Sequence, residues 1–340
     1  MKKHFIVFFC VWFLIVVSLI FGTFFLVGST THPNKDPIYL IVDSWAGYIP
    51  LYVAYENGFF EDEGVDVNFD ILIDSETIGE EVIKEDSPYD GYPGVYPPYS
   101  VNGTVDFDSR VVYIFDYSYG GDVIVASPDI HSVFELKGKK VGVSFLNGFS
   151  HRFLVYLLEK NNLTEGDVEI VEVSAYNVLD ALENGEIDAG HTWEPIKTKA
   201  VESGYNLIAS SKDAPGFIVD VLTIKKDVIE DREEDIQGIV NALVRAHNFI
   251  AGNKNGAYSL MSNRTGVPLS DLMGASGGIK LLNLEENKLA LSDSSSDISL
   301  YRVSEFISEF MLDHGQSDET FLAEGLIDSR FVLNAFSESN

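Results

Sequence analysis

Residues 45–67, WAGYIPLYVAYENGFFEDEGVDV, indicate the fold class of this chain. Within them, Pro50–Asn57 has the apolar spacing of a helix, and Gly58 is a typical helix stop. A β-branched run, Pro37–Val42, comes before this stretch, and the apolar run Val65–Ile73 overlaps its end. Because strand, helix and strand in this order open a parallel βαβ unit, we expect an α/β fold.

The same alternation continues along the chain. Further strands are predicted at Val111–Phe115, Val123–Ala126, Lys140–Val143, Val168–Val173, Ile187–Gly190 and Ile218–Lys225. Further helices are predicted at Ser150–Lys160, Asn177–Asn184, Ile236–Gly252, Ser270–Met273 and Leu300–Asp313. A chain of 340 residues is long enough for two units of sheets covered by helices.

The composition excludes several classes of function. There are 23 Lys and Arg against 53 Asp and Glu, so the formal net charge is −30 and binding to nucleic acid is excluded. A single cysteine, Cys10, excludes an intrachain disulfide and cysteine-based zinc or iron–sulfur sites. The sequence also lacks the motifs of serine hydrolases, P-loop nucleotide sites, zinc proteases and EF-hands. We therefore expect no catalytic residue, no metal and no cofactor.

The N-terminus carries an export or anchoring segment. Phe5–Val27 holds 23 residues without a charge, preceded by two lysines that place the N-terminal end in the cytoplasm. This length favours a retained transmembrane helix, although Val27-Gly28-Ser29 also fits the cleavage site of a signal peptide. We therefore predict an anchor or signal over residues 1–28, a polar tether over 29–36, and a globular part outside the cytoplasm.

Five clusters of aromatic, glycine and polar residues lie at predicted strand ends, where open α/β sheets bind ligands. They are Ser44–Tyr48, Asp116–Asp122, Asn147–Arg152, His191–Pro195 and Phe217–Leu222. Each cluster taken alone also fits an ordinary turn, a helix cap or a hydrogen-bonded buried acid. Together they hold several acids and aromatic rings, and apart from the imidazole of His191 only His151 and Arg152 supply basic groups.

The stretch at 45–67 resembles the opening signature of the solute-binding proteins of nitrate/sulfonate/taurine-class ABC importers. The resemblance continues in the same order through Leu136–Val143, Gly148–His151, Ala181–Ala189, Thr192–Pro195 and Val219–Leu222. It implies a two-lobe periplasmic-binding-protein-like fold of type II. Residues 37–124 and 223–340 would form lobe 1, and residues 125–222 would form lobe 2.

The resemblance also implies which residues contact the ligand. They are Trp45, Tyr48, Ser118, Gly121, Asp122, Ser150, His151, Trp193, Glu194 and Asp220. Tyr92 is added because Tyr89–Tyr99 departs from the Gly/Ser-containing loop of the family. In this scheme a monomer closes on a small molecule without covalent chemistry. It then delivers the molecule to a membrane permease with its ATPase subunits.

The predicted cleft favours a ligand with a positive end. Asp122, Glu194 and Asp220 stand against His151 and Arg152 in these clusters, which disfavours a bare anion such as nitrate. A sulfonate would lie at the helix start near Ser150, and an ammonium group would lie among the acids. We therefore predict an amino sulfonate such as taurine, or a related organic nitrogen compound. The alternatives are a thiamine-precursor pyrimidine, nitrate, or an enzyme or sensor domain on the same fold.

Overall fold

The computed structural model describes residues 36–72, 78–82, 84, 86–98, 108–296, 298–315, 317–318 and 320–336. The predicted anchor at 1–28 and all of the tether before Asp36 lie outside these residues. Among the described residues, no helix has both the length and the apolar character needed to cross a bilayer. The first strand begins at Ile38, two residues into the described part.

The described residues form strands and helices in alternation, with short 3₁₀ turns between them. The strands are β1 (Ile38–Val42), β2 (Val67–Ile71), β3 (Gly91–Val95), β4 (Ser109–Ser118), β5 (Val123–Ala126), β6 (Lys140–Val143), β7 (Glu169–Glu172), β8 (Ala189–Thr192), β9 (Asn206–Ser210), β10 (Val219–Lys225) and β11 (Ile279–Leu281). The helices are α1 (Ile49–Glu56), α2 (Phe59–Asp62), α3 (Ile78–Val82), α4 (Phe149–Lys160), α5 (Val178–Glu183), α6 (Ile196–Glu202), α7 (Lys226–Asp231), α8 (Glu233–Gly252), α9 (Lys254–Thr265), α10 (Leu269–Ala275), α11 (Leu284–Ser292), α12 (Leu300–Asp313) and α13 (Arg330–Asn334).

The strands form two mixed sheets. Sheet 1 has the order β11-β4-β10-β3-β1-β2, and β1 runs parallel to both β2 and β3. Sheet 2 has the order β7-β6-β8-β5-β9, and β6 runs parallel to both β7 and β8. All other neighbouring strands pair antiparallel. In sheet 1 these pairs are β3 with β10, β10 with β4, and β4 with β11. In sheet 2 they are β8 with β5, and β5 with β9. We call sheet 1 with its helices the sheet-1 half, and sheet 2 with its helices the sheet-2 half.

The chain crosses between the sheets twice, and the positions differ from the predicted lobe boundaries. It leaves sheet 1 after Ser118 and enters sheet 2 at Val123, then leaves sheet 2 after Ser210 and re-enters sheet 1 at Val219. Both changes of sheet therefore come before the predicted boundaries at 124/125 and 222/223. The reason is that β5 and most of β10 are buried on both faces, so their apolar runs do not reveal which sheet they join. Independent movement of the two lobes stays a prediction.

One central strand escaped the sequence prediction. β3 lies between β1 and β10 although its sequence is Gly-Tyr-Pro-Gly-Val, which has low strand propensity. The glycine at its start has a tertiary role, since a Cβ at Gly91 would lie 2.3 Å from the carbonyl oxygen of Thr223. The close approach of β10 thus explains why a glycine stands at position 91, although glycine is more typical of a turn than of a strand.

Helix α12 makes a further contact between the two halves. Phe306 on α12 packs edge-on against Tyr156 and Phe217, with ring centroids 5.6 Å away in both pairs. Directly after the end of α12, the Nε2 atom of His314 lies 3.3 Å from a carboxylate oxygen of Glu159 on α4. Helix α12 and the residue after it therefore contact the sheet-2 half.

Candidate ligand-binding site

A cavity of about 860 Å³ lies between the two halves, where strands of both sheets end. Its polar and aromatic wall includes Asp43, Trp45, Tyr48, Tyr92, Asp122, Phe149, Tyr176, Trp193, Glu194, Lys199, Asp220 and Asp271. Asp43 and Trp45 come just after the end of β1, and Trp193 and Glu194 follow β8 directly. The cavity thus occupies the ligand position that is usual in open α/β sheets.

Seven of the eleven predicted contact residues line this cavity. They are Trp45, Tyr48, Tyr92, Asp122, Trp193, Glu194 and Asp220. Four others, Ser118, Gly121, Ser150 and His151, do not line it. The structure therefore brings most of the predicted set to one wall, and direct contact with a ligand stays a prediction for those seven.

Ser150 and His151 hold the loop before α4 in place. The Ser150 hydroxyl accepts a hydrogen bond from the Ser144 N–H at 3.1 Å, and the His151 Nδ1 atom accepts one from the Asn147 N–H at 3.0 Å. The His151 Nε2 atom lies 3.3 Å from a carboxylate oxygen of Glu165. Burial lowers the pKa of His151, although Glu165 acts in the opposite direction. Both side chains are buried and do not line the cavity, so direct ligand contact by Ser150 and His151 stays a prediction.

Ser118 and Gly121 shape the crossovers instead of the cavity surface. The Ser118 hydroxyl accepts a hydrogen bond from the Asp122 N–H at 3.2 Å and lies 2.9 Å from the Ser211 hydroxyl, so it links the two crossovers. A Cβ at Gly121 would lie 3.0 Å from the Cη2 atom of Trp45, so glycine lets the indole ring pack on the crossover. The structure thus places both residues beside the cavity wall, and their direct contact with a ligand stays a prediction.

Buried aspartates are concentrated on the sheet-1 side of the site. Asp220 Oδ1 accepts a hydrogen bond of 2.6 Å from the Tyr48 hydroxyl. The pKa of Asp220 is raised to about 8, chiefly by burial, while the Tyr48 hydrogen bond lowers it and the charges of Asp122 and Asp43 add to the rise. Behind the wall, burial and the charge of Asp220 raise the pKa of Asp116, which accepts a hydrogen bond from the Trp45 indole at 3.3 Å. The strongest charges acting on these acids are thus negative.

Asp122 lines the cavity at the first crossover, directly before β5. Its Oδ1 atom lies 3.0 Å from the Nε2 atom of His191, which is wholly buried. The His191 ring packs edge-on against Phe149 at 5.5 Å and Trp193 at 5.6 Å. This packing fixes the imidazole, and the imidazole fixes the Asp122 carboxylate.

Glu194 lines the cavity with a carboxylate that already has partners. One of its oxygens lies 3.0 Å from the Lys197 ammonium, and the other accepts a hydrogen bond from the Thr198 N–H at 3.2 Å. Lys197 also donates a hydrogen bond to the Gly120 carbonyl at 3.2 Å. Glu194 therefore joins the start of α6 to the crossover, and its charge is largely neutralised locally.

Several residues at the cavity are not among the predicted contacts. Asp43, Tyr176 and Lys199 line the cavity and lie outside the five predicted clusters. Phe149 lines it and Asp116 supports it from behind, and both lie within those clusters. The rule of strand ends could have found Asp43, which comes directly after β1, and Tyr176, which comes shortly after β7. For Asp116 the available signal is an acid within an apolar strand, the same signal that singled out Asp220.

Two sheets of this topology with a cavity between them define the periplasmic-binding-protein-like fold. The solved structure of the periplasmic aliphatic sulphonate binding protein SsuA from Escherichia coli matches with a TM-score of 0.69 at 14% identity, covering 90% of this chain and 96% of that one. The desulfurization enzyme DSZB matches with a TM-score of 0.61 at 16% identity, covering 87% and 98%. The fold is therefore shared by a binding protein and an enzyme.

The chain belongs to the NMT1/THI5-like family, whose model matches residues 45–257. The taurine-binding periplasmic protein of Escherichia coli is 23% identical over 180 residues, which are 50% of this chain and 56% of that protein. A putative thiamine biosynthesis protein of Haemophilus influenzae is 24% identical over 254 residues, which are 70% of this chain and 78% of that protein. The family match confirms the resemblance that starts at residues 45–67.

Proposed function

We propose that this protein is the extracytoplasmic solute-binding protein of an ABC importer, with a small amine-bearing sulfonate of the taurine type as its ligand. The observation that carries the proposal is the charge of the cavity. Five acidic residues of the described chain line it, against a single basic one, Lys199. A ligand with a positive end supplies the charge that this wall lacks.

Energetics support the same ligand class. A carboxylate removed from water without a counter-charge is strongly destabilised, which is why the pKa of Asp220 lies near 8. A cationic nitrogen beside Asp122 and Asp220 would stabilise their ionised forms. Nitrate or a simple sulfonate would instead add negative charge to a negative site.

The opposite end of the ligand has a suitable place at the start of α4. Asn147 and Phe149 line the cavity there, and Gly148 caps the helix without a side-chain hydrogen bond. The first N–H groups and the dipole of this 12-residue helix favour a negative group. A sulfonate at this end and an ammonium near Asp122 would together match the polarity of the cavity.

The location and partners follow from the family. A solute-binding protein works outside the cytoplasm with a membrane permease and its ATPase subunits, and the apolar segment at Phe5–Val27 suits an anchor or a secretion signal. The ligand would bind between the two halves, and their closure would create the form that the permease recognises. No covalent step belongs to this scheme.

Isothermal titration calorimetry of the full chain tests the ligand class. We expect taurine to bind about 100-fold or more tightly than ethanesulfonate, because the second compound lacks the ammonium group that compensates the aspartates. Nitrate should bind more weakly still. Recovery of unchanged taurine after long incubation, measured by NMR, distinguishes a binding protein from an enzyme.

The result that contradicts this proposal is equal or tighter binding of ethanesulfonate or nitrate. Asp220→Asn provides the matched variant, since it keeps the size of the side chain and removes its charge. This variant should reduce the affinity for taurine far more than the affinity for ethanesulfonate.

A thiamine-precursor pyrimidine is the second candidate ligand. The observation that favours it is the aromatic corner of the sheet-2 half, where the rings of Tyr176 and Trp193 meet at 80° with centroids 5.5 Å apart. Such walls suit a flat heterocycle as well as a cation. Hydroxymethyl-aminopyrimidine in the same titration would decide, because binding tighter than that of taurine would select this candidate.

A further inference from the structure

Aromatic rings of both halves lie near Asp122 and its neighbour Gly121. On the sheet-2 side, His191 bonds to Asp122 and packs against Trp193, which in turn meets Tyr176 at a right-angled corner. On the sheet-1 side, Trp45 packs against Gly121, the residue next to Asp122. We call Trp45, Tyr48, Tyr176 and Trp193 the aromatic walls. All four line the cavity.

The polar ends of the sheet-1 rings are used within the protein. The Trp45 indole N–H donates to Asp116, and the Tyr48 hydroxyl donates to Asp220. The room for the first bond comes from Gly47, where a Cβ would lie 1.8 Å from Oδ2 of Asp116. These two rings therefore offer a ligand their π-surface and apolar edge, since their donors are occupied.

The acids of the cavity wall also have partners already. Asp122 bonds to His191, Glu194 bonds to Lys197 and the Thr198 N–H, and Asp220 bonds to Tyr48. A primary ammonium group has three N–H donors that each require an acceptor, and each of these carboxylates already gives part of its acceptor capacity to a protein partner. A methylated ammonium group needs only negative potential and ring faces, which this cavity has in excess.

We propose that the cavity selects a quaternary or highly methylated ammonium group, held by the aromatic walls above Asp122. The inference rests on the proposed function and narrows its ligand class from amines in general to N-methylated amines. Trp45 and Tyr48 would contact the methyl groups from one side, and Tyr176 and Trp193 from the other. Asp122, oriented by His191, would supply the neutralising charge.

Calorimetry with one skeleton and increasing methylation tests the inference. The probes are taurine, N,N-dimethyltaurine and N,N,N-trimethyltaurine, with glycine and trimethylglycine as a carboxylate pair. We expect the affinity to rise with each step and trimethyltaurine to bind about 10-fold tighter than taurine. We call the affinity for trimethyltaurine divided by the affinity for taurine the methylation ratio. In the Trp193→Leu variant this ratio should fall to about 1, because one ring of the aromatic walls is lost.

Two further variants distinguish the loss of a ring contact from a general defect in folding. Tyr176→Leu removes the other ring of the same corner and should reduce the ratio in the same direction. Phe134→Leu is the control, since Phe134 is 61% exposed and does not line the cavity, and it should keep the full ratio. A ratio that stays high in both corner variants overturns the role of the walls.

The outcomes separate this inference from the proposed function. Taurine binding as tightly as trimethyltaurine, or tighter, overturns the inference and leaves the proposed function standing. If neither sulfonate binds, the proposed ligand class fails. In that case, trimethylglycine binding about 10-fold tighter than glycine still supports the inference, and equal or absent binding of this pair overturns it.

Discussion

The buried carboxyl group of Asp220 couples the ligand site to pH. Asp220 lies among carboxyl groups from three other positions, Asp43, Asp116 and Asp122, and its pKa is raised to about 8. Below this pH the free protein holds a proton on Asp220. A cationic ligand favours the ionised carboxylate, so binding displaces that proton.

The affinity for a cationic ligand should therefore rise with pH. We expect Kd to fall by up to about tenfold per pH unit between about pH 6 and pH 8, and to level off above that, since one displaced proton sets the slope. Calorimetry with taurine or trimethyltaurine at four pH values measures this slope. Asp220→Asn should flatten it, and an unchanged slope in that variant would assign the proton to another group of the cluster.

Asn287 on α11 completes the edge of β4 at the scale of secondary structure. β11 pairs only with Asp116–Ser118 of β4, so it ends before it reaches Ile114. The Asn287 amide takes its place, because its Oδ1 atom accepts from the Ile114 N–H at 2.8 Å and its Nδ2 atom donates to the Ile114 carbonyl at 3.0 Å. A side chain thus satisfies two buried backbone groups that a strand would otherwise pair.

Replacing Asn287 by Ala should lower the free energy of unfolding by about 2–4 kcal/mol, since two buried backbone groups lose their partners at about 1–3 kcal/mol each. Urea denaturation measures the change. The control is Asn184→Ala on an exposed helix end, which should change the stability by less than about 0.5 kcal/mol. A loss below about 1 kcal/mol in Asn287→Ala would mean that water replaces the amide.

Net charge acts on the molecule as a whole. At a formal −30, like charges repel each other more strongly in the compact state than in the extended chain. Salt shortens the range of this repulsion from about 30 Å at 0.01 M to about 3 Å at 1 M. The charge therefore makes the stability of the fold depend on ionic strength.

Added salt should stabilise the protein. Between about 0.01 M and 1 M NaCl we expect Tm to rise by about 2–4 °C or more, which corresponds to about 1 kcal/mol in a large domain. Differential scanning calorimetry measures the shift, and KCl should reproduce it if screening is the cause. A fall in Tm with salt would show that local ion pairs outweigh the overall repulsion.

The local elements and the family could be predicted from the sequence because they depend on neighbouring residues. Leu300–Asp313 is a helix with the predicted bounds, and the residues of 45–67 identify the family through one continuous stretch. Seven predicted contact residues reach the cavity wall because ligands in this fold class bind at strand ends, which periodicity reveals.

Only the tertiary structure decided which residues meet across the chain. Tyr48 bonds to Asp220 over 172 positions, and Ser118 approaches Ser211 over 93. His151 carries the same local signal as a ligand contact, yet its partners direct it into the protein. Local patterns report burial and conformation along the chain. The partner of a buried polar group, and thus its role, depends on which distant strands the sheets bring together.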